Sequence, residues 1–226
     1  MNYAQAMHGL SICDLSDACD ALGIAPVTSG SIKAVYPGCA PVCGPVATCA
    51  MSPAGGIEIV IGTIELMDAA APGSILLIDA HEHLEQNTIG SLVSVVAVQR
   101  RLGGAIIDGS VRDVQGCREL GFPVYARGTV VHSVRGRMAI DSINQAVTLG
   151  GKAVAPGDIG AADENGAIVF PAARAREVFE LAWRAVALEK KMFQQIQHGG
   201  DAIALHKAMK YDLSMKEQLD DRRLLE

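Results

Sequence analysis

The apolar positions of this chain change period along its length, and the changes mark out its elements. Ile12, Leu15, Cys19 and Leu22 share one face of a helix that Ser11 can cap and Gly23 can end. Residues 24–50 are rich in Pro, Gly, Val and Cys and read as short strands and turns. Ile57, Val60, Ile61, Ile64 and Ala71 return to helical spacing, which Pro72-Gly73 stops. Ser74–Asp79 is then a short, continuous apolar run of the kind found in a buried strand. The valines of 91–102 seldom alternate with polar residues, and Arg100-Arg101 stand just before Gly103, where a helix dipole favours cations; this stretch is predicted helical. A strand at 105–107, a helix over 111–120 ending at Gly121 and a strand at 123–126 follow. Helices and strands alternating through short connections predict a parallel sheet.

Beyond Gly128 the texture changes. Apolar stretches become short and are separated by Gly, Pro and Asp as far as Pro171, which predicts antiparallel strands. Pro156-Gly157-Asp158 opens one strand, and Glu164-Asn165-Gly166 is a hairpin signal before Ala167–Phe170. A long helix is predicted over about 172–197, with Val178, Leu181, Ala185, Leu188, Met192 and Ile196 on one face and Gly199-Gly200 at its end. A short amphipathic stretch, 201–210, and a charged tail complete the chain. No linker composition interrupts it. The expectation is one α/β domain over 1–226, with its core at 11–198 and a tail, 199–226, that reaches a neighbouring subunit.

Composition narrows the function. A chain of 226 residues, half of them apolar, buries most of its unfolded surface without staples. A net charge of −6 with scattered basic residues weighs against nucleic acid as a partner. Met1–Leu10 is too polar for a secretory signal, and the apolar windows near 57–78 and 91–107 are broken by Pro, Gly, Asp, Glu or Arg, so no membrane span is expected. The six cysteines contain no C-x-x-C and read as small buried hydrophobes in a reducing, cytoplasmic setting.

In a parallel sheet, ligands settle at the carboxyl ends of the strands. Two such ends matter here. Strand 74–79 leads through His81–Gly90 to a helix starting near Ser91, and strand 105–107 leads through Asp108-Gly109 to a helix starting near Val111. If the strands are neighbours, both helix N-termini face one crevice. Gly90 and the free backbone N–H groups of Ser91, Leu92 and Val93 would then bind a carboxylate. Arg112 adds a forked donor suited to a carboxylate or enolate, and Asp113 a hard oxygen ligand for Mg²⁺ or Mn²⁺. The competing reading is local: Ser110-x-x-Asp113 is also a capping box with Asp in place of Glu. His81-Glu82-His83 offers two alternatives. Histidines two apart on an extended segment share a face and could bind zinc, as in a zinc hydrolase, or the three residues could line the crevice mouth. No G-x-G-x-x-G after a strand, G-x-x-x-x-G-K-[ST] or G-x-S-x-G occurs, so nucleotide cofactors and α/β-hydrolase chemistry are not indicated.

Gly103-Gly-Ala-Ile-Ile-Asp-Gly-Ser-Val-Arg112-Asp113, followed by Leu120-Gly-Phe-Pro-Val-Tyr-Ala-Arg127-Gly128, resembles the RraA-like family. Leu15–Gly23, Gly44-Pro-Val-Ala47, Pro72-Gly73, Val154–Asp158 and Asp163–Gly166 extend the resemblance over residues 11 to about 198. It implies a three-layer ββα sandwich of the swivelling-domain type, with a central parallel segment and a long C-terminal helix, assembled as homotrimers or hexamers with sites between subunits. It implies a divalent-metal-dependent carbon–carbon lyase acting on 2-oxo acids, as aldolase of 4-hydroxy-4-methyl-2-oxoglutarate or decarboxylase of oxaloacetate. Asp113 would bind the metal, Arg112 the substrate and enolate, and the backbone of Ser91 to Val93 the pyruvyl carboxylate. The family's other branch regulates ribonuclease E without catalysis and typically lacks the carboxylate after the arginine; Asp113 favours the enzyme branch. Two positions depart from the aldolase pattern. Ser91 stands where aldolases carry an aspartate, 21 residues before the arginine. Glu217, Asp220 and Asp221 compete for the glutamate that a neighbouring subunit's C-terminal region would supply.

Overall fold

The structure, a computed structural model, describes residues 1–53 and 58–209. In chain order its elements begin with α1 (Tyr3–Met7), α2 (Ile12–Ala21), β1 (Val27–Ser29), β2 (Lys33–Ala34), β3 (Val42–Ser52), α3 (Ile59–Ala69) and β4 (Ile75–Asn87). They continue with α4 (Ser91–Gln99), β5 (Gly104–Val111), α5 (Val114–Glu119), β6 (Val124–Thr129), β7 (Ala139–Ile143), β8 (Val147–Leu149) and β9 (Lys152–Val154). β10 (Ile159–Asp163), β11 (Gly166–Phe170), a 3₁₀ turn at Ala172–Arg174, α6 (Ala175–Gln197) and α7 (Ala202–Ala208) follow. Two compact units result: Met1–His8 with Pro26–Ala172, and Gly9–Ala25 with the chain from Ala173.

The first unit is built on a sheet of order β1-β11-β10-β3-β4-β5-β6-β2, with β7 added on β3 and β8-β9 as a separate hairpin. β3, β4, β5 and β6 are parallel neighbours, and every other pairing is antiparallel among the described strands. Both halves of the expected texture are therefore present. The strand period sorts side chains into two cores. Leu76 and Ile78 of β4 and Ala105 and Ile107 of β5 join Leu66 and Met67 of α3, Val93 and Ala97 of α4, and Cys117 of α5. Their chain neighbours Ile75, Leu77 and Ile106 point the other way, toward Val27, Val147, Leu149, Val154 and Val169. Helices cover one face of the parallel strands and a second layer of strands covers the other, which is the ββα order. Each fully buried Leu or Ile stabilises the fold by about 1.5–3 kcal/mol, and both layers depend on the same strands.

Three boundaries beside the crevice differ from expectation. β4 does not end at Asp79 but continues to Asn87, pairing His83 with Gly109 and Asn87 with Ser110 through two register shifts. His81 (φ 53°) and Glu82 (φ 61°) take left-handed backbone at the first shift, so the polar residues read as a loop are a bulged strand. β5 runs on to Val111, buried at every position. α5 consequently begins at Val114, not Val111. Ser110 lies in the strand, and no capping box forms with Asp113, which is itself the N-cap without a side-chain cap bond. The expected helix start at Ile57 lies outside the described residues, as do Glu217, Asp220 and Asp221.

The second unit is helical. Ser11 and Asp14 form a reciprocal capping box at α2, with Ser11 N to Asp14 Oδ2 at 2.7 Å and Asp14 N to Ser11 Oγ at 3.2 Å. α2 packs on α6, whose buried face carries Val178, Phe179, Ala182, Ala185, Leu188 and Met192. Asp201 caps α7 through Ile203 N and Ala204 N. No described helix is long and apolar enough to cross a membrane.

All six cysteines are free thiols, and Cys13 is the exposed one. Burial pushes the thiols of Cys19, Cys43 and Cys49 up to about 12, and it also raises Cys39 and Cys117. A thiol held above its ordinary value stays protonated and unreactive at pH 8. A native disulfide-exchange titration at pH 8 should therefore find about one rapid thiol and, after denaturation, all six. Two or more rapid native thiols would contradict this burial.

Candidate active site

β4 and β5 deliver their ends side by side. Thr88 N and Thr88 Oγ1 both donate to Ser110 O, at 2.8 and 3.1 Å, and Arg112 N donates to Ile89 O at 3.2 Å. Asn87 fastens a third segment: its Oδ1 accepts from Val134 N at 2.9 Å while its Nδ2 donates to Ile89 O at 3.1 Å. The two strands thus bring the start of α4 and the start of α5 to one place, as the sequence pattern anticipates for neighbouring parallel strands.

Asp113 sits at this junction with φ 57° and ψ 39°. Its side chain turns toward α4. Oδ2 accepts from Ser91 N at 3.1 Å and from Ser91 Oγ at 3.3 Å, and Arg112 Nε approaches the same oxygen at 3.7 Å. Gly90, the N-cap of α4, offers no side-chain cap, so a carboxylate from another element satisfies the first helical N–H. Among the described residues Arg112 Nε is a buried side-chain nitrogen with no hydrogen-bond partner. Leaving such a donor unmatched costs about 1–3 kcal/mol, which an anionic ligand would recover.

A cavity of about 130 Å³ opens over this junction. Gly90, Ser91, Leu92, Val93, Arg112 and Asp113 all line it. Ile59, Val60 and Thr63 of α3, Asn87 and Thr88 of β4, and Ser133, Val134 and Arg135 complete the lining, and sequence reasoning did not find them. The polar pair Asn87-Thr88 just ahead of Gly90 was the available signal. Gly90 has a steric duty here, since a Cβ at this position would lie 2.5 Å from Asp113 Oδ2. Were the cavity catalytic, Gly90→Ala would displace the Asp113 carboxylate and lower catalytic efficiency at least about tenfold, with a normal far-ultraviolet circular dichroism spectrum. Wild-type efficiency in that variant would show that the carboxylate has room to spare.

His81, Glu82 and His83 lie elsewhere. His81 Nδ1 is 3.3 Å from Asp79 Oδ1, Glu82 Oε1 accepts from Arg127 at 2.8 Å, and His83 Nε2 bonds Gln86 Oε1. None of the three lines the cavity. Among the described residues, no three His, Cys, Asp or Glu side chains group to hold a metal.

Asp79 and Asp108, at paired positions of β4 and β5, form a second polar centre. Asp79 Oδ2 accepts from Thr148 N and Thr148 Oγ1, at 2.8 and 2.6 Å, and Asp79 Oδ1 from His81 N at 2.9 Å. Asp108 accepts from Arg127 Nε and from Gly150 N, the latter at 3.0 Å. Arg127 spends its other nitrogens on Ser31 Oγ and Glu82 Oε1, at 2.6 and 2.8 Å. The network clamps the β8-β9 hairpin onto the carboxyl ends of the parallel strands.

The profile of RraA-like proteins, described as Aldolase/RraA, matches residues 12–169. The chain belongs to the RraA-like family. This RraA-like chain is 29% identical over 136 residues to a provisionally named 4-hydroxy-4-methyl-2-oxoglutarate aldolase of Halalkalibacterium halodurans, covering 58% of this chain and 64% of that one. It is 28% identical over 178 residues to protein DlpA of Legionella pneumophila, covering 78% of this chain and 29% of that one. The match thus spans less than two thirds of the length of either relative. A provisionally named aldolase of the same kind from Pseudomonas aeruginosa is 32% identical over 111 residues, 48% of this chain and 67% of that one.

Among solved structures, an uncharacterized protein of Pseudomonas syringae pv. tomato superposes with a TM-score of 0.79 at 23% identity, covering 89% of this chain and 95% of that one. RraAS2 of Streptomyces coelicolor, described as an unusual member of the RNase ES inhibitor RraA protein family, gives 0.75 at 24% identity over 86% and 97% of the two chains. These likenesses establish the RraA fold.

Proposed function

We propose that this RraA-like protein is a carbon–carbon lyase of 2-oxo acids. It would cleave a 4-hydroxy-2-oxo acid in the retro-aldol direction, decarboxylate an oxaloacetate-like acid, or both, through pyruvate enolate. The observation that carries this reading is the convergence of Arg112, Asp113 and the N-terminal turn of α4 on one cavity, with Arg112 Nε buried and unmatched among the described residues. The aldolase names of its relatives support it.

The N–H groups of Leu92 and Val93 would hold the substrate carboxylate at the positive end of α4. Arg112 would lie along the 2-oxo group. As the C3–C4 bond breaks, its electron pair passes into that group, and the guanidinium stabilises the charge that develops there. The 4-hydroxyl gives up its proton to water and C4 leaves as a carbonyl. In decarboxylation the pair from the carboxylate–C3 bond follows the same path and CO₂ departs. Asp113 would hold Mg²⁺ or Mn²⁺. The donor set fits, because Oδ2 is committed to Ser91 while Oδ1 has no hydrogen bond among the described residues, and magnesium is often held by one carboxylate with water and substrate oxygens. Such an ion, when bound, supplies Lewis-acid polarisation of the 2-oxo group.

A homotrimer or hexamer belongs to this reading. Leu92, Val95 and Val98 expose an apolar stripe along α4, and Ile61 lies exposed on α3. Leu92 borders the cavity, so the stripe fits burial against a second copy beside the site. Sedimentation should show trimers or hexamers, and a monomer at micromolar concentration would remove this part.

The test is pyruvate release from a panel of 4-hydroxy-2-oxo acids and oxaloacetate, with Mg²⁺, Mn²⁺ or EDTA. Release that needs either ion and stops in EDTA is expected. Should no compound yield pyruvate with either ion, the lyase reading fails. A non-catalytic regulator would instead bind a basic protein partner in a salt-sensitive, EDTA-independent way.

A further inference from the structure

Asp113 holds a backbone conformation that non-glycine residues rarely adopt, and a carboxylate mounted there needs a restraint to present one geometry. The restraint comes from the neighbouring helix. Ser91 N and Ser91 Oγ both donate to Asp113 Oδ2, at 3.1 and 3.3 Å. Two glycines make the approach close enough. A Cβ on Gly90 would stand 2.5 Å from Asp113 Oδ2, and a Cβ on Gly116 of α5 would stand 2.9 Å from Ser91 Cβ. The first turns of α4 and α5 therefore meet at a spacing that suits a short hydroxyl side chain at position 91.

We infer that Ser91 is a positioning residue for Asp113: its hydroxyl and its own N–H together commit Oδ2, leaving Oδ1 as the oxygen offered to a divalent cation. The inference rests on the reading above, in which Asp113 carries the ion. A carboxylate free to rotate would lose conformational entropy on binding the cation; one already fixed by two donors loses less. Hydrogen-bond partners of metal-ligating carboxylates commonly change metal affinity by about 10- to 100-fold. In this chain the serine side chain takes that part directly, at the position where an aspartate was expected from the aldolase pattern.

The experiment is Mn²⁺ binding by the full chain without substrate, read as free Mn²⁺ by electron paramagnetic resonance. Wild type is compared with Ser91→Ala, Gly116→Ala and Asp113→Asn, with thermal melts as a check on folding. Ser91→Ala should weaken Mn²⁺ about tenfold. Gly116→Ala keeps the hydroxyl but forces it away, and should weaken binding to a similar degree. If Asp113→Asn binds Mn²⁺ as wild type does, the metal reading itself fails. If Asp113→Asn loses the ion while folded Ser91→Ala, or folded Gly116→Ala, retains wild-type affinity, Asp113 keeps its role and Ser91 loses the one assigned here.

Discussion

Asp113→Asn should lose about 10²- to 10³-fold in pyruvate release with Mg²⁺ or Mn²⁺ while keeping its fold. Asparagine tolerates left-handed backbone at least as well as aspartate and retains an oxygen that can accept from Ser91, so the variant changes charge with little change in shape. Its melting temperature should stay within about 2–4 °C of wild type, the shift that roughly 1 kcal/mol produces in a chain of this size. Asp113→Ala should fall as far in activity and further in stability, because it puts alanine in the left-handed region and leaves Ser91 N at the start of α4 without its acceptor. EDTA should then make no difference to either variant. Retention of more than about a tenth of wild-type turnover by Asp113→Asn would take the carboxylate out of the mechanism.

Asp108→Ala should destabilise the first unit by about 3–5 kcal/mol in urea unfolding. The side chain of Asp108 is 2% exposed and that of its partner Arg127 14%. Removing the carboxylate strands a guanidinium in a low-dielectric setting and leaves Gly150 N without its acceptor. The remaining contacts of Arg127, to Ser31 Oγ and Glu82 Oε1, cannot supply the lost charge in full, since Glu82 is exposed to solvent. Against a typical total of about 5–15 kcal/mol the loss is a large fraction of stability. The double change Asp108→Leu with Arg127→Met should recover more than half of it, because a buried ion pair replaced whole costs far less than one broken. A loss under about 1 kcal/mol for Asp108→Ala would mean that water already reaches the pair.

Much of this arrangement was legible in the chain. Alternating helix and strand patterns over 57–126 predict a parallel sheet, and for neighbouring strands the rule that ligands gather at strand carboxyl ends puts Gly90 to Val93 in one crevice with Arg112 and Asp113, the residues that line the cavity. Local patterns misled where long-range pairing decides. His81–Asn87 is polar enough to pass for a loop, yet it pairs with β5 across a bulge that no short-range signal marks. Ser110 and Asp113 have capping-box spacing, but the pairings of Ser110 with Gly128 and of Val111 with Thr129 keep the strand going past Ser110. Ile59, Thr63 and Arg135 reach the cavity from segments far away in the sequence, and one chain without its partners carries no trace of that distance. Asp79 and Asp108 looked like ordinary strand ends; their acceptor roles depend on Thr148 and Gly150, some forty to seventy positions downstream.

β5 is enclosed at every residue and flanked on both sides by paired strands, and Arg112 follows its last residue directly. Amide protons of Ile106 and Ile107 should therefore exchange with deuterium only when the whole unit opens, whereas those of the surface segment around Arg135 should exchange through local fluctuations. Arg112 and Asp113 thus stand at the end of a buried, doubly paired strand and share their cavity with Ser133, Val134 and Arg135 of that surface segment. On the lyase reading, changes in that segment should alter which 2-oxo acids are admitted while the anchoring strand is left untouched.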